Sequence, residues 1–220
     1  MYVTQTIQHP HGVNAFGSWL VRVDPDFASI RFAVTRTAAH PREAFAQARA
    51  AARAVRDCIQ ELGVPEHDVA AGDTTLSEAY TATPERKKIG YEAVVAFHVI
   101  LRELGKLEAL LSGVVDAGAD RITSVHSKTS RLKELRRDAR ERAVHAARAK
   151  AEELARACGA RLGAALHIED INADDLGRRS HLPDIDLSQQ DDAGGVPVAH
   201  SPGSITVAAA VMVCFALLPD

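Results

Sequence analysis

The feature that most constrains the fold is a long, alanine-rich and charged segment in the second half of the chain. Its centre, Ala146–Ala155, consists almost entirely of strong helix formers. We predict a helix from Arg131 to Cys158, which Gly159 ends because glycine readily adopts the left-handed conformation that terminates helices. The apolar stretch from Leu162 to Ile168 is then predicted to form a short strand. The helix carries no obvious catalytic group, so the sequence predicts a structural scaffold here. Its predicted apolar stripe consists of Leu132, Leu135, Ala139, Ala143, Ala146, Leu154 and Cys158.

The rest of the chain predicts a sheet and two further helices. Helices are predicted from Pro41 to Leu62 and from Leu104 to Ala117. The apolar stripe of the first is Phe45, Ala48, Ala52, Val55, Ile59 and Leu62. The remaining predicted strands are Val13–Val23, Phe27–Thr37, Val69–Thr81, Lys88–Leu101, Arg121–Lys128 and Ser204–Leu217.

The order strand, helix, strand, strand, helix, strand from Phe27 to Lys128 is that of a split βαβ unit. This order predicts an α+β fold with an antiparallel or mixed sheet and helices on one face. An extra N-terminal strand, the long third helix and two C-terminal strands complete the prediction. We expect the third helix and the last two strands to extend this core.

The predicted organisation is a loose N-terminus at 1–12 and a single domain over 13–218. A polar, aspartate-rich loop at 172–202 is inserted before the last strand. A loop of this length is either mobile or a contact for a partner or another subunit. Its aspartates do not have the spacing of an EF-hand, so a metal site there is not expected.

Charge and composition exclude several classes of protein. The net charge of −3 gives the whole chain no attractive field for nucleic acid or anionic membrane. The sequence has no apolar run long enough for a membrane span and no secretory signal near Met1. We therefore predict a cytoplasmic location, or the envelope if a leader has been removed. The three cysteines Cys58, Cys158 and Cys214 lie in apolar stretches, which predicts buried thiols.

No arrangement of reactive side chains supports a prediction of catalytic, cofactor-binding or metal-binding residues. Only His9 and His11 form a close histidine pair, and further zinc ligands cannot be named. Asp120, His126 and Ser127 could suggest a triad, but neighbouring strand residues point to opposite faces. We expect no cofactor.

Two sets of residues are instead predicted as a candidate interaction surface. One set lies on the strand face opposite Phe97, which is apolar and needs cover from the third helix or another subunit. The other lies on the third helix, where Arg131–Arg161 carries ten Lys and Arg against five Asp and Glu. The candidates are Val94, Ala96, His98, Ile100, Arg136, Arg140, Arg148 and Lys150.

The basic helix admits three interpretations. It forms a solvated face, it docks the acidic stretch 169–192, or it binds phosphates of a nucleic acid. The strands lack the paired aromatic residues that a sheet of this topology uses to stack bases, so we predict no nucleic-acid partner.

A series of short motifs is distributed over nearly the whole chain. In chain order they are Gly17, Val23-Asp24-Pro25-Asp26, Leu62-Gly63-Val64 with Asp68, Gly90-Tyr91, Arg102-Glu103-Leu104 with Lys106-Leu107, Ala117-Gly118-Ala119-Asp120, Ala139-Arg140, the alanine-rich run through Leu162-Gly163, and Pro202-Gly203. This ordered series resembles the SIMPL-domain family. Trp19 stands where members often have a second glycine.

The resemblance implies an α+β fold of this topology and a tendency to assemble into rings. Members are mostly bacterial envelope proteins, linked loosely to stress responses or known as antigens, and the family has no agreed catalytic residues. We therefore predict a non-enzymatic, self-assembling scaffold that forms homo-oligomers. The alternative is a small-molecule-binding protein or an unrecognised enzyme with a pocket between the sheet and the loop 172–202.

Overall fold

A computed structural model describes residues 12–81, 87–171 and 203–219. The strands are β1 Val13–Val23, β2 Phe27–Ala38, β3 Val69–Ala71, β4 Thr75–Tyr80, β5 Lys88–Leu101, β6 Arg121–Lys128, β7 Ala160–Ile171 and β8 Ile205–Pro219. The helices are α1 Pro41–Glu61, α2 Leu107–Asp116 and α3 Leu132–Ala157. The chain divides into an inserted unit, Pro25–Ser130, and a flanking unit, which comprises Met1–Asp24 and Arg131–Asp220.

The inserted unit has the predicted split βαβ order. Its strands form an antiparallel sheet in the order β3-β5-β2-β6, and β4 also pairs with β5. Alternate residues of the two central strands face α1 and α2, as the sequence predicted. Phe32 and Phe97 stack at the centre of this core with ring centroids 5.1 Å apart.

The predicted apolar stripe of α1 is correct in its second half and wrong at its start. Val55 and Ile59 are fully buried. Phe45 is 37% exposed, whereas its neighbour Ala44 is fully buried. The Arg49 guanidinium lies 5.8 Å from the centre of the Phe45 ring, so the ring is covered by a surface cation rather than by the core.

Two predicted boundaries of the inserted unit need correction. The single strand predicted at Val69–Thr81 is interrupted at Gly72, and β3 and β4 pair with successive stretches of β5. The second helix begins with a 3₁₀ turn at Leu104–Lys106 before α2.

The flanking unit has its own sheet, with the antiparallel strand order β1-β8-β7 and α3 on one face. The prediction that the third helix and the last two strands extend the first core is therefore wrong, because α3, β1 and β8 contribute to a second core cluster. The first and last described strands pair with each other instead, from Val13 opposite Phe215 to Val23 opposite Ile205. A pairing between strands so distant in sequence leaves no local signal.

The buried stripe of α3 also differs from the prediction. Its members recur at every fourth position and are Leu135, Ala139, Ala143, Ala147, Ala151 and Ala155. On a helix of 3.6 residues per turn, each four-residue step advances the stripe by about 40°. From Leu135 to Ala155 the buried stripe therefore winds by about 200° around the helix. As a result, Ala146 is only half-buried, Leu154 is 46% exposed and Cys158 is exposed, contrary to the prediction.

A single glycine allows α3 to approach the sheet closely. A Cβ atom added at Gly17 in β1 would lie 2.1 Å from the Ala143 carbonyl oxygen and 2.5 Å from the Ala147 nitrogen. Both are backbone atoms of α3, so rotation of a side chain could not relieve the clash. The backbones of β1 and α3 are therefore in direct contact at this point.

The ends of the inserted unit are joined by one carboxylate. Asp26 accepts hydrogen bonds from the Ser130 backbone N–H at 2.8 Å and from its hydroxyl at 2.6 Å. These bonds, that of the Ser130 hydroxyl first, lower the pKa of Asp26. Although serine is a favourable capping residue and Ser130 precedes α3, the N-cap is Arg131, without a side-chain cap bond. Ser130 instead ties the end of β6 to the start of β2.

Some predictions lie outside the described residues. These are the loop 172–202 and the N-terminal stretch with His9 and His11. The single domain over 13–218 stays a prediction beside the two units. None of the helices in the described ranges is both long and apolar enough to cross a membrane.

Candidate functional site

The four candidates on β5 share the side of the inserted unit's sheet that faces away from α1 and α2. We call this side the open face. Val94, His98 and Ile100 are half-buried on it, and Ala96 is exposed. Strand pairing adds small and polar neighbours from β2, since Ala33 lies opposite Ala96 and Arg31 opposite His98.

The open face has an excess of basic side chains. Its basic residues are Arg31 on β2, His98 on β5, and Arg121, His126 and Lys128 on β6. Glu92 is the acid that strand pairing places on this face, and Asp73 follows Gly72 in a loop at its margin. A chain with a net charge of −3 therefore presents one locally basic surface.

A depression of about 490 Å³ lies on the open face. Ala33, Ala70, Gly72 and Ala96 line it with methyl groups and backbone, and Arg31, His98 and Thr123 add polar groups. Gly72 donates a backbone hydrogen bond to the Ala96 carbonyl at 2.8 Å, which holds the loop after β3 against the recess.

His98 is held by a buried hydroxyl. Its Nε2 lies 2.9 Å from the Ser29 hydroxyl oxygen, and Ser29 is only 3% exposed. This bond fixes the orientation of the ring. Because Ser29 is closed to solvent, the pair is suited to positioning His98 and not to nucleophilic attack on a substrate.

Asp120 has a structural role that excludes the triad considered from sequence. Its carboxylate accepts the Thr35 backbone N–H at 2.8 and 3.0 Å and the Arg36 guanidinium at 2.8 Å. The Asp120 carboxylate thereby provides a hydrogen-bond acceptor for β2 just beyond the last residue pair of β2 with β6. His126 and Ser127 lie opposite Ser29 and Ala28, on opposite faces, as predicted.

Three of the carboxylates whose pKa values are lowered also form ion pairs that stabilise the fold. Hydrogen bonds from the Arg102 guanidinium, at 2.9 and 3.0 Å, lower the pKa of the buried Asp68. Lys88 lowers the pKa of Glu78, and Arg131 that of Glu134. A carboxyl group that serves as a general acid near neutral pH needs the opposite shift.

The four candidates on α3 belong to the flanking unit and are exposed. Arg140 pairs with Asp170 of β7 at 3.2 Å, and Arg148 pairs with Glu152 at 3.0 Å. Arg136 and Lys150 are exposed on the same helix. The structure thus gathers the β5 candidates on one face, while two of the four helix candidates are engaged in ion pairs.

The flanking unit has a shallow depression of about 320 Å³ where α3 ends and β7 begins. It is lined by Glu152, Arg156, Ala160, Arg161 and Leu162. Within the described ranges, no three His, Cys, Asp or Glu side chains converge as a metal site would require.

Sequence reasoning missed four basic residues of the open face, which are Arg31, Arg121, His126 and Lys128. The alternation along β2 places Arg31 opposite to Phe32 and could have found it. The position of Arg121 depends on a bulge in β6 between the partners of Arg31 and Phe32, which has no sequence signal.

Residues 13–215, which span elements of both units, match the family model SIMPL, described as a protein of unknown function (DUF541). The chain belongs to the SIMPL family. The match confirms the family to which the sequence motifs pointed.

Curated relatives of this SIMPL protein include the "Uncharacterized protein YggE" of Edwardsiella ictaluri. It is 30% identical over 163 residues, which cover 72% of this chain and 68% of the relative. The "26 kDa periplasmic immunogenic protein" of Brucella melitensis, and that of Brucella abortus, are each 25% identical over 174 residues. Those residues cover 76% of this chain and 70% of each relative. None of these descriptions names a reaction.

The SIMPL motifs have structural explanations in this chain. Gly17 permits the contact with α3. Gly90 has φ +147°, and a Cβ there would lie 2.4 Å from the Ala38 carbonyl oxygen. Asp26, Asp120 and the partners Asp68 and Arg102 hold ends and turns of the inserted unit together. These residues support the fold.

Proposed function

We propose that this SIMPL protein is a non-enzymatic interaction protein that assembles with copies of itself through β7. The observation that carries the proposal is the exposure of this strand. Leu166 is 56% and Ile168 is 54% exposed. β7 pairs with β8 on one side and with no described strand on its other side. Such an edge offers unpaired backbone N–H and C=O groups to another strand.

The charge pattern of β7 supports an antiparallel contact between two copies. The strand carries Arg161 near its start and Glu169 and Asp170 near its end. A two-fold contact brings the start of one strand beside the end of the other. Arg161 of one copy would then lie near the acidic end of the second copy, with the exposed Leu166 and Ile168 at the centre.

The proposal is tested by measuring particle mass in solution with light scattering over a range of protein concentrations. We expect wild-type protein to associate and Ile168→Lys to shift it towards monomer. Ile122→Lys is the matched control, because Ile122 is 43% exposed on the edge strand β6 of the other unit. A strictly monomeric wild type, or equal effects of the two substitutions, would refute the proposed contact.

A charge exchange tests the orientation of the two strands. Arg161→Glu should weaken association, and adding Glu169→Arg should restore it. If the double variant is weaker than either single variant, the antiparallel register is wrong even though β7 is in contact.

The proposed location is the bacterial envelope, which is supported by the periplasmic names of the two Brucella relatives. The cytoplasm predicted from the N-terminal sequence is the alternative. Fractionation of cells that express the natural gene, with marker proteins for each compartment, distinguishes the two.

A small-molecule-binding function is the second candidate, and the depression on the open face supports it. The pocket predicted from sequence involved the loop 172–202, which lies outside the described residues. The depression is formed without that loop and defines a different candidate site.

A further inference from the structure

The open face combines a recess with a basic margin, and neither takes part in the proposed assembly through β7. Half of the residues that line the recess are alanine or glycine, whose small size leaves room between longer neighbours. Its volume of about 490 Å³ is in the range of small-molecule sites. Arg31 and Ala96 are exposed within it, so the recess is accessible.

Arg31 and His98 form the polar side of the recess. They lie directly opposite each other on β2 and β5, which brings their Cβ atoms to about 5 Å. Arginine offers two parallel N–H donors that match a carboxylate or phosphate. His98 adds a ring whose Nε2 is held by Ser29. No ion pair of Arg31 is found within the described ranges.

Two neighbouring basic groups on a sheet repel each other when both are charged, and a bound anion relieves this repulsion. Arg121, His126 and Lys128 on the same face add to the attraction for an anion. The remaining lining comes from alanines, Gly72, Thr123 and the strand positions of Phe32 and Phe97, and it is mainly apolar. Because the rings of Phe32 and Phe97 are buried in the core, no exposed aromatic ring is present there for stacking bases, whereas a flat apolar body fits against this surface.

We propose that the open face binds a small molecule with one carboxylate or phosphate group and a flat apolar body. Arg31 and His98 hold the anionic group. The body lies against Ala33, Ala96 and Gly72. This ligand site is independent of the self-assembly proposed for β7.

The test uses the full-length chain with phenyl phosphate and benzoate as probes and benzyl alcohol as the uncharged control. Binding is followed by the NMR signals of the His98 ring and by calorimetry. We expect saturable binding of at least one anionic probe and none of benzyl alcohol. The stronger of the two anions identifies phosphate or carboxylate as the preferred group.

Two substitutions localise the binding. Arg31→Gln should weaken it by about tenfold or more, because a charge-assisted hydrogen bond is lost. Ala96→Leu should abolish it by filling the recess without changing charge. Arg53→Gln and Ala50→Leu, both at exposed positions of α1, are matched controls and should leave binding within about twofold, as is usual for distant sites.

The proposal is overturned if neither anion shifts the His98 signals in a saturable manner. It is also overturned if folded Ala96→Leu protein binds as tightly as wild type, because the recess is then not the site. Binding of an oligonucleotide that displaces the probes more strongly than phenyl phosphate would assign the basic face to nucleic acid instead. Thermal unfolding of each variant establishes that it is folded.

Discussion

Replacing Gly17 with alanine tests the contact between β1 and α3 most directly. The new methyl group would lie 2.1 Å from the Ala143 carbonyl oxygen, where ordinary contact begins near 3.4 Å. The helix would have to move away by more than 1 Å. Since Ala143 and Ala147 are fully buried against the sheet, this movement opens gaps along their row.

We expect Gly17→Ala to lower the free energy of unfolding by about 2–3 kcal/mol, in the upper part of the usual cost of overpacking. The reduced backbone freedom of the unfolded chain offsets only about 0.4–1 kcal/mol of this cost. Removing the neighbouring methyl group with Ala147→Gly should give little relief, because the closest contacts are to backbone atoms.

The assay uses the single tryptophan of the chain. Trp19 lies on β1, two residues from Gly17, with the Arg142 guanidinium 5.0 Å from its ring centre. Its fluorescence during urea denaturation therefore follows the flanking unit. Gly105→Ala is the control, since an added Cβ there meets no atom within 4 Å. A Gly17→Ala protein within about 0.5 kcal/mol of wild type would refute the close approach of α3.

Three further predictions concern side chains that the structure explains. Arg102→Ala leaves the Asp68 carboxylate, which is 5% exposed, without two donors and should cost about 1–2 kcal/mol near neutral pH. Because Arg102 lowers the pKa of Asp68 in the folded state, the loss of stability is complete above the ordinary carboxyl pKa and disappears as pH falls through the folded-state pKa. Urea denaturation of both proteins at several pH values measures this loss. A stability difference that does not change with pH would contradict the prediction. Asp120→Ala should speed hydrogen exchange at the Thr35 amide and lower the free energy of unfolding by about 1–2 kcal/mol. If the exchange rate of this amide, measured by NMR, is unchanged, the carboxylate is dispensable. Leu154→Ala should change stability by less than about 0.5 kcal/mol in the same denaturation assay, whereas a loss of several kcal/mol would favour the helix stripe predicted from sequence.

The sequence predicted strand faces well because the signal is local. Ile30, Phe32 and Val34 alternate along β2, and all three are buried as expected. Sheet membership was not predictable in this way. The pairing of β1 with β8 joins the two ends of the chain, and no periodicity within either strand specifies its neighbour.

The candidate site was found only in part for a related reason. Ala96 and His98 were identified from the alternation along β5. The alternation along β2 places Ala33 and Arg31 on one face, but their pairing with Ala96 and His98 depends on the register between β2 and β5, which the sequence did not specify. The stripe of α3 was predicted incorrectly for a different reason: alanines lie on several sides of this helix, so apolar periodicity alone does not specify which of them is buried.

The Asp26 carboxylate has a consequence for how the chain can be cut. Because it binds Ser130, the 25–130 segment starts and finishes at one point. A gene fragment that encodes only this stretch would yield a polypeptide with adjacent termini and an intact apolar interior. Joining Asp24 to Arg131 through a short spacer would give the complementary protein. The inserted unit and the flanking unit could then be exchanged separately between relatives.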